Sequence, residues 1–502
     1  MDSVKEERKK TTAKGSGYDR IIKYTGVFGG VQTLTNLITL VKGKLVAALI
    51  GSAGMGITTV FNRSLDLVSR TTDLGISFSA VKTISEQGEA PADSIRVVRS
   101  WSLWLAVLGT AVCFLLAPLF SRQNFDGDYS YTLSFRLLSL VVGFTSIASG
   151  ERAILKGTQK LRELATNQIY CVVATLLITI PVYLWLGMQG IVPVLVLTSL
   201  ANMALTCWYS FRAYPYRVAL FSGKVFHDGA YIVRLGINYT LAGFFGSGVL
   251  YLVSSYMMNN GSAEDVGYYS NAVILVSYLS MLVFSAVESD FFPRLSAANR
   301  DPKQSGQLVN EQIEVLILLV SPLVVVFMLF LPIIVPLVLQ REFMPLIDVA
   351  QWAAAALLFT ALTRPMSFMS LSKGDSLTYL IQELFYDVFM AVTVIVGYRE
   401  GGLLWAGVAL FASSVFDWLL NCLITRVRYG FRPNRRVRLF ALLHGVVVAA
   451  ALCLFRLAGG WVYWLGGVAL AFVSGAVSVY FLYKETDFLQ KVAAKLKSKY
   501  EK

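Results

Sequence analysis

Apolar stretches of about 20 residues recur along almost the whole chain, and this recurrence limits what the sequence can fold into. A helix needs about 20 apolar residues to cross the hydrocarbon core of a bilayer. The sequence therefore predicts an all-α polytopic membrane protein with about 14 transmembrane helices. A soluble globular protein is excluded because only 15% of the 502 residues are charged, against roughly 25% in soluble domains.

The hydropathy of the chain places the spans and their connections. The second span is the least apolar, because it contains four charged residues. A polar linker separates the sixth span from the seventh. The predicted spans are 25–50, 56–81, 99–120, 130–151, 163–187, 190–211, 232–258, 266–293, 312–339, 345–372, 376–398, 402–425, 438–457 and 460–483.

The predicted spans group into two lobes with tails and a linker. Each lobe holds six spans, and the last two spans follow the second lobe. The segments are a cytoplasmic N-terminal tail (1–23), an N-lobe (24–213), a cytoplasmic linker (214–231), a C-lobe (232–425), spans 13 and 14 (426–483) and a basic amphipathic cytoplasmic tail (484–502).

The distribution of Lys and Arg predicts the orientation. With the N-terminus in the cytoplasm, and with basic residues within three positions of a span end assigned to the adjoining side, 34 of the 44 basic residues lie on the cytoplasmic side, four lie outside and six lie within spans. Cytoplasmic loops of membrane proteins carry such an excess of Lys and Arg. The sequence therefore predicts that both termini are cytoplasmic. The net charge of +13 is therefore explained by the basic residues of the cytoplasmic segments and does not indicate nucleic-acid binding.

An internal repeat relates the two lobes. Gly51–Gly56 follows the first span and Gly261–Gly267 follows the seventh, and Lys156–Gly157 before the fifth span matches Lys373–Gly374 before the eleventh. Six spans per half give both halves the same orientation. The repeat therefore predicts two six-helix lobes related by a pseudo-twofold axis along the membrane normal, which is an architecture of transporters.

Residues 20–90 resemble a known family most strongly, and the resemblance extends as a pattern of spans through residue 483. The span Gly26–Asn36, the Gly51–Gly56 turn and the charged second span ending in Leu74–Val81 are similar to polysaccharide flippases of the Wzx type (O-antigen or repeat-unit flippases). These belong to the multidrug/oligosaccharidyl-lipid/polysaccharide exporter superfamily. The resemblance implies alternating access and export of an undecaprenyl-pyrophosphate-linked oligosaccharide across the bacterial cytoplasmic (inner) membrane. Other membrane proteins of polysaccharide assembly are possible partners, and nucleic acid is not.

Four charges in the second span form the first candidate site. Arg63, Asp66, Arg70 and Asp73 are spaced three, four and three residues apart, which places them on one helix face. Ionisable groups inside a membrane face a cavity or a partner, and guanidinium groups bind phosphate oxygens well. We interpret Arg63 and Arg70 as substrate-binding residues and Asp66 and Asp73 as their cavity ion pairs. Alternatively, the four charges only neutralise one another so that the helix can insert.

Further basic residues could extend a substrate path. Lys42, toward the outer end of the first span, either contributes to this path or snorkels outward together with Lys44. Arg364 precedes Pro365 in the tenth span, where proline favours a kink. Its guanidinium therefore either faces the cavity as a further substrate-binding group or bonds the backbone that the proline frees.

Acidic residues of the C-lobe are candidates for ion coupling. Glu383 and Asp387 share a face of span 11, and Asp417 and Asn421 share a face of span 12. Carboxylates near the middle of a membrane, helped by an amide, suit Na⁺ or H⁺. Alternatively, these acids only pair with Arg364 or form hydrogen bonds across helices. The sequence predicts no other cofactor and no metal site, because the two histidines lie far from any cluster of ligands.

Three function classes compete. We expect a flippase, with transport coupled to an ion gradient. A cation-coupled multidrug exporter of the same superfamily would use acids and aromatic residues, which Asp387 and Asp417 favour and the arginine pair opposes. A membrane-embedded polysaccharide polymerase or ligase needs a sizeable external loop, whereas the external connections here are about ten residues or fewer. The sequence therefore predicts a transporter and not an enzyme.

Overall fold

A computed structural model of the chain describes residues 2–86, 92–220, 222–298, 300–457 and 459–485. These residues form helices and no strand, which confirms the predicted all-α class. All but two residues of the predicted C-terminal tail lie outside the described residues. The helices are α1 (Asp2–Thr72), α2 (Ile76–Glu86), α3 (Ala92–Asn124), α4 (Thr132–Gly157), α5 (Leu161–Leu186), α6 (Ile191–Ala213), α7 (Gly223–Asn260), α8 (Ala263–Ala297), α9 (Pro302–Val338), α10 (Leu346–Ser372), α11 (Ser376–Tyr429), α12 (Arg435–Leu457) and α13 (Gly460–Glu485).

Two of these helices each contain two predicted spans, because a glycine bends them sharply. α1 leaves helical geometry at Gly51 (φ 67°, ψ −174°), and α11 does so at Gly401 and Gly402 (φ 64° at Gly402). A positive φ is readily adopted by glycine alone. The predicted turn over Gly51–Gly56 is therefore wrong in extent, since the helix resumes directly after Gly51. With both bent helices counted as two arms, and with α2 joined to the second arm of α1 as the second span, the described helices match the 14 predicted spans.

The described helices are long and apolar enough for a multi-pass membrane protein. Nine helical segments meet the length and hydropathy needed to cross a bilayer within the residues described. Two of them, Arg162–Ala213 and Leu377–Tyr429, have 52 and 53 residues. Since one crossing takes about 20 residues, each of these two segments is long enough to cross the membrane twice.

The chain divides into two compact units, Met1–Tyr251 and Leu252–Lys502. The first has an aromatic core in which Phe61 and Phe135 pack edge to face with their ring centroids 5.0 Å apart. Its α5–α6 pair lies at the periphery, because only 11% of the most apolar 18-residue stretch of this pair is buried. α7 begins inside the predicted linker, and the predicted lobe boundaries stay a prediction.

The second unit is built around α10. In its most apolar stretch of 18 residues, 72% is buried, a larger share than in any other candidate span. Four consecutive alanines, Ala353–Ala356, let neighbouring helices approach closely. Side-chain caps fix the helix starts: Asp301 accepts from the first amides of α9, and Asp375 accepts from Thr378 N in α11. These helices set the orientation of the charged residues on α10 and α11.

Candidate functional site

The charged second span borders a cavity in the first unit, which we call the N-terminal cavity. It has a volume of about 190 Å³. Among the described residues, no aromatic or aliphatic side chain lines it, so its lining consists of charged, hydroxyl and glycine residues. These are Asp66, Ser69, Arg70, Asp73, Gly75, Thr145, Ser146, Ser149, Thr240 and Gly243.

Arg70 and Asp66 form an ion pair within this lining. Nε of Arg70 donates to Oδ2 of Asp66 at 3.2 Å, and the Ser247 hydroxyl donates to the same oxygen at 2.9 Å. Arg70 is 49% exposed. A Cβ at Gly243 would lie 3.6 Å from Nη1 of Arg70, at ordinary van der Waals contact. Since this ion pair uses Nε, the Nη groups of Arg70 are available to an anionic ligand.

The second span is interrupted beside the N-terminal cavity. The sequence predicted one helix over 56–81, but α1 ends at Thr72 and α2 begins at Ile76. Leu74 and Gly75 adopt positive φ angles of 48° and 71°, and such a φ is unusual for a leucine. Broken helices in transporters lie where irregular backbone lines a cavity. The sequence signal for the break is a glycine within the charged span.

The structure brings together some of the predicted substrate-binding residues and not others. Asp66, Arg70 and Asp73 line the N-terminal cavity. Arg63 and Lys42 are half-buried and are not part of this lining. Among the described lining residues, one is therefore basic and two are acidic. Substrate roles for Arg63 and Lys42 stay predictions.

A larger cavity lies in the second unit, and we call it the C-terminal cavity. Its volume is about 540 Å³, and α8, α10 and both arms of α11 contribute to its lining. Three predicted site residues, Arg364, Glu383 and Asp417, line it together. Its other lining residues include serines and threonines and three aromatic residues, Phe368, Tyr379 and Tyr386.

Arg364 lines this cavity although it precedes a proline. α10 continues through Pro365 as one helix, so the proline does not interrupt it. The guanidinium carbon lies 5.2 Å from the ring centroid of Phe284, within cation–π distance. Arg364 is therefore part of the cavity lining, and its role in substrate binding stays a prediction.

A chain of buried hydrogen bonds leads to the Asp417 carboxylate. The Ser370 hydroxyl donates to Gln382 Oε1 at 3.1 Å, and Gln382 Nε2 donates to Asn421 Oδ1 at 2.9 Å. Asn421 Nδ2 in turn donates to Asp417 Oδ1 at 2.8 Å. Ser370, Gln382 and Asn421 are at most 1% exposed. The three hydrogen bonds run in the same direction and end on the Asp417 carboxylate, which they hold in place.

Asp387 is the predicted ion-coupling residue that does not line this cavity. It lies one turn after Glu383 on the first arm of α11 and is half-buried, but it is not part of the C-terminal cavity lining. In the part of the chain that the structure describes, no three His, Cys, Asp or Glu side chains come together as a metal site. Glu383 and Asp417 are therefore the acids that this cavity can offer to a monovalent cation or a proton.

Sequence reasoning missed a buried ion pair in the first unit. Arg99 and Glu151 are 2% and 4% exposed, and Nε of Arg99 lies 2.9 Å from Oε1 of Glu151. Arg99 also donates through Nη1 to Pro215 O at 2.7 Å, and the Ser210 hydroxyl donates to Glu151. This network fixes the chain that follows α6. Two opposite charges at corresponding ends of adjacent spans could have indicated it.

The sequence comparison decides the family. Residues 22–348, about two thirds of the chain, match the family described as "Polysaccharide biosynthesis protein". The chain belongs to this family. The match confirms the resemblance found in the N-terminal part of the sequence. A search of curated proteins finds no match.

Solved structures show the fold of this polysaccharide biosynthesis protein. The lipid II flippase MurJ, in an inward closed conformation, aligns with a TM-score of 0.70 and 11% identity over 91% of this chain and 99% of that chain. An inward-facing MATE-family multidrug resistance transporter of the MOP superfamily aligns with a TM-score of 0.64 and 16% identity, over 79% of this chain and 94% of that one. The protein therefore has the fold of MOP-superfamily transporters.

A third structure has the same fold. A MOP-superfamily transporter from Pyrococcus furiosus aligns with a TM-score of 0.53 and 15% identity, over 80% of this chain and 93% of that one. At these identities the three likenesses show the fold alone. A substrate has to be inferred from the cavities themselves.

Proposed function

We propose that this protein is a flippase that moves a polyprenyl-pyrophosphate-linked oligosaccharide across the bacterial cytoplasmic membrane by alternating access, with both termini in the cytoplasm. Its family and its transporter fold support this proposal. The observation that carries it is the set of charged and hydroxyl side chains that line the N-terminal cavity, where Arg70 is the only basic side chain among the described lining residues. Hydroxyl groups and a guanidinium suit sugars and phosphates.

In this mechanism Asp66 orients Arg70, and Arg70 binds the pyrophosphate. The Asp66 carboxylate accepts from Nε, and Ser247 fixes the carboxylate in turn. The terminal amino groups of Arg70 can then donate to two phosphate oxygens. Gly75, where the second span is interrupted, lines the same cavity. The polyprenyl tail stays in lipid while the glycan crosses.

Two Arg70 variants test this role, with the purified carrier-linked oligosaccharide as the ligand. A lost charge-assisted bond weakens binding by about 1.5–3 kcal/mol, or about 10- to 150-fold. Arg70→Gln should show this loss, and Arg70→Lys should bind less well than wild type because lysine lacks the planar fork. Arg122→Gln removes an exposed arginine and is the matched control. Normal binding by a folded Arg70→Gln protein would exclude the substrate role.

We propose that the C-terminal cavity couples transport to Na⁺ or H⁺ through Glu383 and Asp417. The hydrogen bond from Asn421 holds the Asp417 carboxylate in place beside the cavity. Asp417→Asn should abolish stimulation by an ion gradient in inverted membrane vesicles while substrate binding persists. Replacing NaCl by choline chloride at constant pH distinguishes the two ions. A gradient response equal to wild type would show that Asp417 is structural.

One observation favours a second candidate, a cation-coupled multidrug exporter. The C-terminal cavity combines two acids with Phe368, Tyr379 and Tyr386, and aromatic faces bind organic cations. If this candidate is right, lipophilic cations should bind to the purified protein, and Glu383→Gln should weaken that binding. The lipid-linked oligosaccharide should then bind no better than its free polyprenyl carrier. The polar N-terminal cavity is why we favour the flippase.

A further inference from the structure

A basic pocket lies where α5 begins and α6 ends. It has a volume of about 580 Å³, and its lining includes Lys160, Arg162 and Arg212 with Glu163 as the one acid among the described lining residues. Arg162 and Arg212 are exposed. Within the described residues none of the three cations forms an ion pair. With three basic side chains and one acidic side chain among its described lining residues, the pocket carries a net positive charge.

The pocket lies on the membrane-exposed side of the first unit. The α5–α6 segment is the least buried of the candidate spans, so lipid covers most of its surface. Tyr170 and Tyr209 stack beside the pocket with their ring centroids 6.3 Å apart, and Tyr170 is 53% exposed. Tyrosine is enriched at the level of lipid headgroups. The positive-inside rule places this end of both helices at the cytoplasmic surface.

We infer that this basic pocket binds the headgroup of an anionic phospholipid of the surrounding cytoplasmic leaflet. Arg162 and Arg212 come from neighbouring helices and can donate to the phosphate oxygens from two sides. Exposed apolar side chains such as Leu177 and Trp208 continue from the pocket along the two helices and can contact the acyl chains. Basic pockets between transmembrane helices bind anionic headgroups in this way. The inference is independent of the proposed flippase function, because the pocket is separate from both cavities.

Native mass spectrometry of the full-length protein in detergent tests this inference, with phosphatidylglycerol and phosphatidylcholine as probes. Wild type should retain phosphatidylglycerol in preference to phosphatidylcholine. Each guanidinium near a headgroup contributes about a fivefold gain in affinity, so Arg162→Gln/Arg212→Gln should bind phosphatidylglycerol about 25-fold more weakly. The double lysine variant keeps the charges and should retain most of the binding. Arg217→Gln, also exposed and in the same unit, should bind as wild type.

Three results would overturn the inference. They are equal retention of both lipids by wild type, a loss in Arg217→Gln as large as in the double glutamine variant, and displacement of phosphatidylglycerol by equimolar undecaprenyl phosphate. The last result would assign the pocket to the polyprenyl carrier. An unchanged unfolding temperature of the variants shows that they fold. Failure of the Arg70 test leaves this inference intact, because it concerns a different cavity.

Discussion

The hydrogen-bond chain from Ser370 to Asp417 gives a quantitative prediction. Gln382→Met keeps the volume but removes the bond to Asn421 and the acceptor of Ser370. A side-chain hydrogen bond inside a membrane bundle contributes about 0.6 kcal/mol on average and up to about 1.7 kcal/mol. Ser370, Gln382 and Asn421 are all buried. Because the variant loses two buried hydrogen bonds, we expect it to lose about 1–3 kcal/mol of unfolding free energy.

A double-mutant cycle isolates the bond between Gln382 and Asn421. Gln382→Met and Asn421→Leu each leave a buried amide or carbonyl without its partner, whereas the double variant removes both groups. The double variant should therefore be more stable than the sum of the single effects predicts, by about 1–2 kcal/mol. SDS-driven unfolding in mixed micelles measures these free energies. Gln382→Met combined with Ser413→Ala, which lies more than two turns from Asn421, should be additive. Additivity within about 0.5 kcal/mol in the Gln382–Asn421 cycle would refute the hydrogen-bond chain.

Thermal unfolding in detergent tests three further predictions. Gly397→Ala should destabilise the second unit by about 1–3 kcal/mol, because the added Cβ would lie 2.6 Å from a backbone oxygen of the facing α11 arm. Glu151→Leu should cost about 3–5 kcal/mol, because it leaves the buried charge of Arg99 unpaired. The hydrogen bond from Arg428 lowers the pKa of Asp375, so the stability it contributes is complete above about pH 4 and is lost at lower pH. Asp375→Asn should therefore be less stable than wild type at pH 7, and the difference should shrink as the pH falls below about 4.

Each of these predictions has its own control. Gly445→Ala adds a Cβ that meets nothing within 4 Å, so it should not destabilise the protein. Adding Arg99→Met to Glu151→Leu should recover most of the lost stability, because no buried charge remains. Asp93→Asn, at an exposed acid, should keep the acid sensitivity of wild type. Contrary results in these controls would show that the three effects are not specific to the contacts named.

The helices could be predicted because hydropathy is a local property of the sequence. The bend at Gly401 and Gly402 falls between predicted spans 11 and 12, where the sequence placed it. The break at Leu74 and Gly75 was not predicted, because it depends on a cavity that several helices form together. The hydropathy of a span is an average over about 20 residues, so it does not reveal a break of three residues.

Which residues line a cavity depends on tertiary packing, and the spacing of residues in the sequence alone does not determine that packing. Glu383 and Asp387 share a helix face by their spacing, yet only Glu383 lines the C-terminal cavity. Which of the two faces the cavity is decided by how α10 and the second arm of α11 pack against the first arm. Arg99 and Glu151 are 52 positions apart, and no local pattern joins them.

The bend of α11 affects how this part of the chain enters the membrane. Only Gly401 and Gly402 separate its two arms, so the translocon has no loop at which to release the first arm before the second arrives. An acidic residue at the centre of an isolated helix costs about 2.5–3.5 kcal/mol to insert. When both arms insert together, Gln382 can bond Asn421 and Thr393 can bond Ser413 before either arm faces lipid. We therefore expect biogenesis to treat the 54-residue helix as a single insertion unit.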